Sequence, residues 1–354
     1  FYLPFKQDYT VEGFSTVTWA GNATDQYIGG VGFNPDLVWI KHRNGSGDHM
    51  LMDSIRGVTK NLISNTTVAE ETRAEGLQAF SADGYTLGTN DGNLNREGRT
   101  YVGWNWDMGG SNATNNDGNT TSVVRASTTY GQSIVTYTGT GSSTTIGHGL
   151  DSAPNMIILK CRSESGADWK VQHTGLSDGN KVLYLNSTTA EQNEADKFGA
   201  FAGATTFPLN GGHASVNGSS KTYVAYCFHS VSNYSSFGSF TGNGGSQEIT
   251  VGFKPAFLLL KRTSNASSWQ IIDGVRTGSN SKNFTSTPNS AAAEQTNANV
   301  LFTDTGFNDN GWISDNGETV IYMAFADKRE YAYWLDQSGN NNDWTSNNLT
   351  ESDV

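Results

Sequence analysis

The sequence has little of what several common protein classes require. Only two of its 354 residues are cysteine, which excludes a disulfide scaffold for a chain of this length. We expect Cys161 and Cys227 to be separate buried thiols, and the sequence leaves their pairing open. The longest apolar runs, such as residues 256–260, are far shorter than the roughly 20 residues of a membrane-spanning helix, so no membrane insertion is expected.

Positive charge is also scarce. There are 22 Lys and Arg residues against 34 Asp and Glu, and the net charge of −12 disfavours nucleic acid as a partner. The chain begins at Phe1, with neither an initiator Met nor a leader, so we expect a processed product or an excerpt of a longer polypeptide.

Aromatic and turn-forming residues are plentiful. The chain has 41 Gly, 9 Trp, 14 Tyr and 17 Phe, but only 16% of its residues are charged. Short strands joined by many turns have this composition, and large rings can build cores where aliphatic residues are few. A weakly charged surface rich in Asn, Thr and Ser suits contact with hydrated surfaces such as glycans.

One motif recurs three times and organises the whole sequence. It is a proline, five further residues and a lysine: PDLVWIK at 35–41, PNMIILK at 154–160 and PAFLLLK at 255–261. Similar elements precede and follow each copy in the same order. They are TWAG, TYTG and SFTG upstream; then NTTVAE (65–70), NSTTAE (186–191) and NSAAAE (289–294); and finally YVGW (101–104), YVAY (223–226) and YMAF (322–325).

A repeat of about 100 residues is long enough to bury a core of its own, so we expect three separate domains strung like beads. The predicted parts are an N-terminal arm (1–9), repeat module 1 (10–110), a linker (111–130), module 2 (131–230), module 3 (234–328) and a C-terminal arm (329–354).

Each module is predicted to be a β-sandwich with minor short helices. The strand after each proline is apolar at consecutive positions, so both of its faces should be covered. A small residue in each closing strand, Gly103, Ala225 or Ala324, indicates close packing of a second sheet. Asn65 or Asn186 could cap a helical turn.

No recognisable catalytic motif is present, so we predict a protein that is not an enzyme. Lysines 41, 160 and 261 with Arg43, Arg162 and Arg262 could form a repeated anion site, but solvated strand ends explain them better. The histidines show neither the spacing of metal ligands nor a common place in the repeat. They are His42, His49, His148, His173, His213 and His229.

Three weaker signals concern ligands. The loops at 115–119 (NNDGN) and 338–343 (SGNNND) could hold calcium, and no other cofactor is expected. Turn formation explains these loops equally well and is favoured. Trp169 and Trp269 recur at equivalent places and should be structural, whereas Trp312 is the one candidate contact for a glycan. Sequons at Asn22, Asn65, Asn112, Asn119 and Asn186 matter only in a eukaryotic producer.

Together these motifs resemble a repeat family found in tail-fibre-like and other virion structural proteins of marine phages, especially cyanophages. The resemblance rests on residues 32–41, 53–57 (DSIRG), 80–88 (FSADGYTLG), 101–106 (YVGWNW) and the C-terminal stretch 334–349. It implies a role in virion architecture or host attachment and supplies no catalytic residues.

The function predicted is therefore a structural subunit of an extracellular or virion appendage, such as a fibre, filament or decoration. The expected partners are further copies of the chain and adjoining structural proteins, with host-surface glycan as another candidate. A carbohydrate-binding adhesin is the alternative, and a glycan-degrading enzyme comes third. The arms, rich in bulky apolar residues, should make contacts between subunits or with adjoining domains, and packing of each arm on its own nearest module is the alternative.

Overall fold

The chain folds entirely into β-strands and loops in the part that can be described. The structure is a computed structural model, and it describes residues 13–276 and 281–326. The mainly β class is confirmed, but the minor short helices are wrong for these residues, since all their regular structure is strand. The predicted arms, 1–9 and 329–354, lie outside the described residues.

Within the described residues, twenty-seven strands divide among the three modules. The first module contains β1 (Phe14–Ala20), β2 (Gln26–Ile28), β3 (Leu37–His42), β4 (His49–Asp53), β5 (Lys60–Ile63), β6 (Glu71–Thr72), β7 (Leu77–Ser81), β8 (Gly84–Leu87) and β9 (Thr100–Trp106). The second contains β10 (Ala113–Asn115), β11 (Ser122–Ser127), β12 (Gln132–Thr138), β13 (Thr144–Gly147), β14 (Met156–Cys161), β15 (Lys170–His173), β16 (Lys181–Tyr184), β17 (Gln192–Asn193), β18 (Thr206–Leu209) and β19 (Thr222–Phe228). The third contains β20 (Ser235–Thr241), β21 (Glu248–Thr250), β22 (Pro255–Arg262), β23 (Gln270–Asp273), β24 (Ser281–Lys282), β25 (Val300–Thr303), β26 (Gly306–Asn308) and β27 (Thr319–Ala326).

The larger sheets of the three modules share one antiparallel strand order. It runs β1-β9-β3-β4 in the first module, β12-β19-β14-β15 in the second and β20-β27-β22-β23 in the third. The strand that follows each repeated proline lies inside its sheet, and every residue of β3 and β14 is buried. Coverage of both faces explains why these strands are apolar at consecutive positions. A smaller sheet packs over each larger one: β2-β8-β7, β13-β18 and β21-β26-β25-β24.

The closing strand of the third module is in a different register from the one its sequence suggests. Lys41 pairs with Val102 and Lys160 with Val224, but Lys261 pairs with Ile321. Tyr322 therefore occupies the place of Gly103 and Ala225, so a small residue at this place in all three copies is wrong. A shift of two residues keeps each side chain on the same face of a strand, which is why the sequence pattern concealed it.

The segment predicted as a linker, 111–130, carries two strands of the second module. β10 pairs with β11, and β11 pairs with β12 along six residues, from Ser122 opposite Tyr137 to Ser127 opposite Gln132. This hairpin extends the sheet of the second module beyond β12, where the sheets of the first and third modules end at β1 and β20.

The modules are not separate beads, because they share a core. Each has its own apolar layer between its two sheets. A further cluster draws residues from all three. At its centre the Trp106 ring lies 5.2 Å from Phe14, 6.4 Å from Phe228 and 5.9 Å from Phe325, measured between centroids. Strands from three distant parts of the chain thus surround one aromatic centre.

The paired strands β1 and β9, β12 and β19, and β20 and β27 meet at one end of the molecule, which we call the base. Equivalent backbone hydrogen bonds run from Asp107 N to Gly13 O (3.0 Å), His229 N to Gly131 O (2.8 Å) and Ala326 N to Tyr234 O (2.8 Å). Gln132 ties them together: its amide donates to Gly13 O, and its carbonyl accepts from the Tyr234 hydroxyl, both at 3.0 Å.

Candidate functional site

The repeated lysines lie in the contacts between modules and are fully buried. The ammonium of Lys160 donates to Ala167 O at 2.6 Å and, across the boundary, to Thr67 O of the first module at 3.2 Å. Lys261 approaches Thr188 O of the second module (3.4 Å), and Lys41 approaches Ala291 O of the third (3.5 Å). The expectation of solvated strand ends is therefore wrong, and so is that of an anion site, because the acceptors are carbonyls.

Each lysine receives a loop from the neighbouring module, and we call residues 65–70, 186–191 and 289–294 the docking loops. The glutamate that ends each loop donates its backbone N–H to a carbonyl of the next module. These bonds are Glu70 to Arg162 O (2.8 Å), Glu191 to Thr263 O (2.8 Å) and Glu294 to Arg43 O (2.9 Å). The first module docks on the second, the second on the third and the third on the first, so the three junctions close a ring.

The asparagine that begins each docking loop holds a strand instead of capping a helix. Its side-chain oxygen accepts a backbone N–H at the start of the neighbouring strand, at 2.8 to 2.9 Å. His49 N donates to Asn65, Trp169 N to Asn186 and Trp269 N to Asn289. This bonding replaces the helix cap that the sequence suggested. A glycan on Asn65 or Asn186 would be attached to the amide nitrogen, which here donates to Asp48 at 2.8 Å and to Asp168 at 2.9 Å.

The two tryptophans at equivalent places are structural, as predicted. Trp169 Nε1 donates to Ile63 O of the first module at 2.9 Å, and Trp269 Nε1 donates to Tyr184 O of the second at 2.8 Å. Residue 49 takes the corresponding place in the first module, since it pairs opposite Lys41. His49 thus shares a place in the repeat with two tryptophans, which spacing among the histidines did not reveal.

Two of the junctions contain a buried ion network. Where the first module meets the second, Arg56 pairs with Asp53 and reaches Glu70 at 3.3 Å, while the Tyr226 hydroxyl donates to Asp53 at 2.8 Å. Burial acts against the charged form of Arg56, but Asp53, Tyr226 and Glu70 outweigh it and raise its pKa. Arg162 adds a two-pronged contact to Glu70, at 2.8 and 3.0 Å.

The junction between the third and first modules repeats this network. Arg276 pairs with Asp273 at 2.6 Å and with Glu294 at 2.9 Å, and Trp104 Nε1 donates to Asp273 at 3.0 Å. Arg43 completes it with two contacts to Glu294, each 3.1 Å.

The junction between the second and third modules has the same geometry without the ions. His173, Leu176 and Met323 stand where the first junction has Asp53, Arg56 and Tyr226. Thr263 replaces the arginine that meets the docking-loop glutamate, and Glu191 turns instead to Ser177 of its own module, 2.6 Å from its hydroxyl. Arg262, one residue earlier, pairs with Asp315 within the third module. All members of the network change together, so no charge is left unpaired.

A polar cleft of about 350 Å³ lies beside the base and is lined by Asn34, Asp36, Asp107, Gly109, Gly110, Arg125 and Ser127. Burial raises the pKa of both Asp36 and Asp107, a property that catalytic carboxyls also have. However, Asp36 accepts from the Ser54 hydroxyl (2.8 Å) and from Met108 N (3.0 Å).

The second module shows what those bonds are for. There Asn155 stands in place of Asp36, and its side chain makes the corresponding contacts, with the Thr174 hydroxyl at 3.4 Å and with Ser230 N at 2.8 Å. An amide cannot act as a catalytic acid or base, yet it performs the same structural task. The cleft is therefore best explained as part of the module framework.

The remaining candidates are not brought together by the fold. Trp312 is half-buried against the core of the third module, and its backbone N–H donates to Asp309 O at 2.8 Å. In the loop at 115–119, Asn115 bonds Asp117 N and the Asp117 carboxylate, which are turn contacts. The calcium hypothesis for this loop stays a prediction, and the loop at 338–343 lies outside the described residues.

Three further observations concern metals, thiols and membranes. No group of three or more His, Cys, Asp or Glu side chains that could hold a metal ion occurs within 13–276 and 281–326. Cys161 and Cys227 are buried free thiols, and burial raises the pKa of Cys227. The same part of the chain has no helix that could cross a bilayer.

The difference between the junctions predicts how the buried ions can be exchanged. Arg56→Leu alone should lower the free energy of unfolding by about 3–5 kcal/mol, because it leaves Asp53 buried without its counterion. Adding Asp53→His and Tyr226→Met transplants the set found at the second junction and should recover most of that loss. Denaturant unfolding of the single and triple variants compares them directly. A triple variant as unstable as Arg56→Leu would contradict the equivalence of the junctions.

Comparison with known proteins finds one family. A model described as a domain of unknown function, DUF7483, matches residues 10–329, a range that contains all three modules. A search of curated proteins finds no match. The matched range spans the complete ring, so the unit that defines the family is the three modules together. The chain belongs to the DUF7483 family.

Proposed function

We propose that this protein is a structural, non-catalytic subunit of an extracellular or virion appendage, with host attachment as a second task. The observation that carries the proposal is the closed ring of three modules. The three repeated lysines and the two Asp–Arg–Glu networks bind another module or hold the strand that does so. Charged groups that bind between modules stabilise the ring against force and heat, and they are not available for chemistry on a substrate.

The direction of the chain at the base supports an architectural role. Gly13 and Ala326, the outermost described residues, both contact Tyr234. The two outermost described residues therefore lie at the same end of the ring. The opposite end carries loops rich in Gly, Ser, Thr and Asn, at 21–25, 140–143 and 243–246. A subunit held by its base would present these hydrated loops outwards.

The motif resemblance to marine phage virion proteins suggests the setting for this role. Under that proposal the ring is a rigid element of a fibre or a decoration, its base joins neighbouring structural proteins or further copies of the chain, and its location is the virion surface or a secreted filament.

The two arms give the first test. Deleting residues 331–354 should leave a folded, soluble monomer, because every junction of the ring lies within 13–326, but it should abolish assembly. Electron microscopy and sedimentation of the full-length and truncated chains measure this. Circular dichroism of the truncated chain checks that the fold is intact. Filaments or particles formed by the truncated chain would contradict an assembly role for this arm.

A carbohydrate-binding adhesin is the second candidate, favoured by the half-buried Trp312 in its loop. If the adhesin proposal holds, the isolated monomer binds specific sugars on a glycan array and Trp312→Ala removes the binding. The control is Tyr27→Ala, which removes an exposed aromatic ring of the first module. Trp269 is unsuitable as a control because its ring is buried at a junction. A purely structural role, without glycan attachment, predicts no binding by the monomer, and hydrolysis of a host polysaccharide would favour an enzyme over both.

A further inference from the structure

The junction between the second and third modules depends on a neutral histidine. His173 is completely buried, with Nε2 at 3.2 Å from Tyr322 O of the third module and Nδ1 accepting from Gly175 N at 2.9 Å. Since a carbonyl can only accept and an N–H can only donate, the ring carries its proton on Nε2. A second proton on Nδ1 would face the Gly175 N–H and remove that bond.

Among the described residues, the hydrogen bond to Tyr322 O is the one interaction that favours the charged form of the ring. Met156 on β14 pairs opposite His173, and Ser239 on β20 and Ile321 on β27 lie beside the adjacent Gly175. Burial is the main cause that lowers the pKa of His173 to about 4, and the hydrogen bond to Tyr322 offsets only part of it. No acidic or basic side chain contributes to this shift.

The other two junctions are built differently at the corresponding place. Asp53 and Asp273 stand there, each paired with an arginine. Burial acts to raise the pKa of Glu70, but hydrogen bonds and charge from Arg162 and Arg56 outweigh burial and hold the pKa below its usual value. The ion pairs of Glu70 with these arginines therefore persist to lower pH. His49, at the junction of the third and first modules, is buried as well; burial, and then the charges of Lys41 and Arg276, lower its pKa well below the usual value, so the same linkage acts at that junction.

We propose that the junction between the second and third modules is acid-sensitive, in that protonation of His173 opens it while the junction between the first and second modules holds. The sign follows from linkage. A histidine with an ordinary value near 6.5 when unfolded and a lower one when folded stabilises the junction above pH 6.5. That stability is lost as the pH falls from about 6.5 towards 4.

Hydrogen exchange of the full-length chain tests this at individual junctions. The amides of Glu191 and Ser267 report the second–third junction, and those of Glu70 and Gly166 report the first–second junction. After correction for intrinsic rates, lowering the pH from 7 to 4 should reduce the protection of the first pair by roughly 100-fold relative to the second pair.

Two variants make the test specific. His173→Gln retains a donor for Tyr322 O but cannot gain a charge, so the pH-dependent difference should disappear, while His213→Gln at an exposed site should behave as the unaltered protein. If His173→Gln does not fold, the set His173→Asp, Leu176→Arg and Met323→Tyr transplants the ionic junction and should remove the same difference. Equal loss of protection at both junctions, or an unchanged response in whichever variant folds, would overturn the proposal.

Discussion

Insertion of a buried lysine against the carbonyls of a neighbouring docking loop is the constraint on which the rest of the structure depends. An ammonium without solvent needs acceptors, and each of these lysines finds one on the adjacent module. Burial lowers the pKa of Lys41, Lys160 and Lys261 to about 8, so the charged form still predominates at neutral pH. The loop must therefore stay in place, and its position fixes the neighbouring module.

Repetition of this contact explains both the shared core and the ring. Each junction is heterologous, in that one surface of a module meets a different surface of the next. Heterologous contacts close when the rotation between units fits a whole number of copies, and here three covalently joined copies suffice. Closure brings Phe14, Trp106, Phe228 and Phe325 to one centre, and it places Gly13 and Ala326, the outermost described residues, at a single base.

Much of the framework could be predicted from the sequence. The proline-to-lysine strands and the Asn-to-Glu loops recur in fixed order, and they proved to be the inner strands and the docking loops. The burial of the lysines could not be foreseen, because it is created by another module, and a lysine at a strand end normally extends into solvent. The register of β27 also escaped notice, since a shift of two residues preserves the inward and outward alternation.

The candidate site was harder to foresee for a related reason. Asp53, Arg56 and Tyr226 are separated by up to 173 positions, and only the fold brings them together. Once the register is known, the sequence does record that these residues change as a set, to His173, Leu176 and Met323 at the second junction. The residue found at one of these positions can therefore be explained only together with the residue that faces it across the junction.

Closure of the ring is tested most directly at the junction of the third and first modules, between residues 251 positions apart. A double-mutant cycle with Arg43→Met and Glu294→Gln measures their coupling in the free energy of unfolding. The closed ring predicts a coupling of about 0.5–3 kcal/mol, since these side chains share two hydrogen bonds. Simple additivity, within about 0.3 kcal/mol, would mean that the first and third modules do not touch there, and would contradict the account.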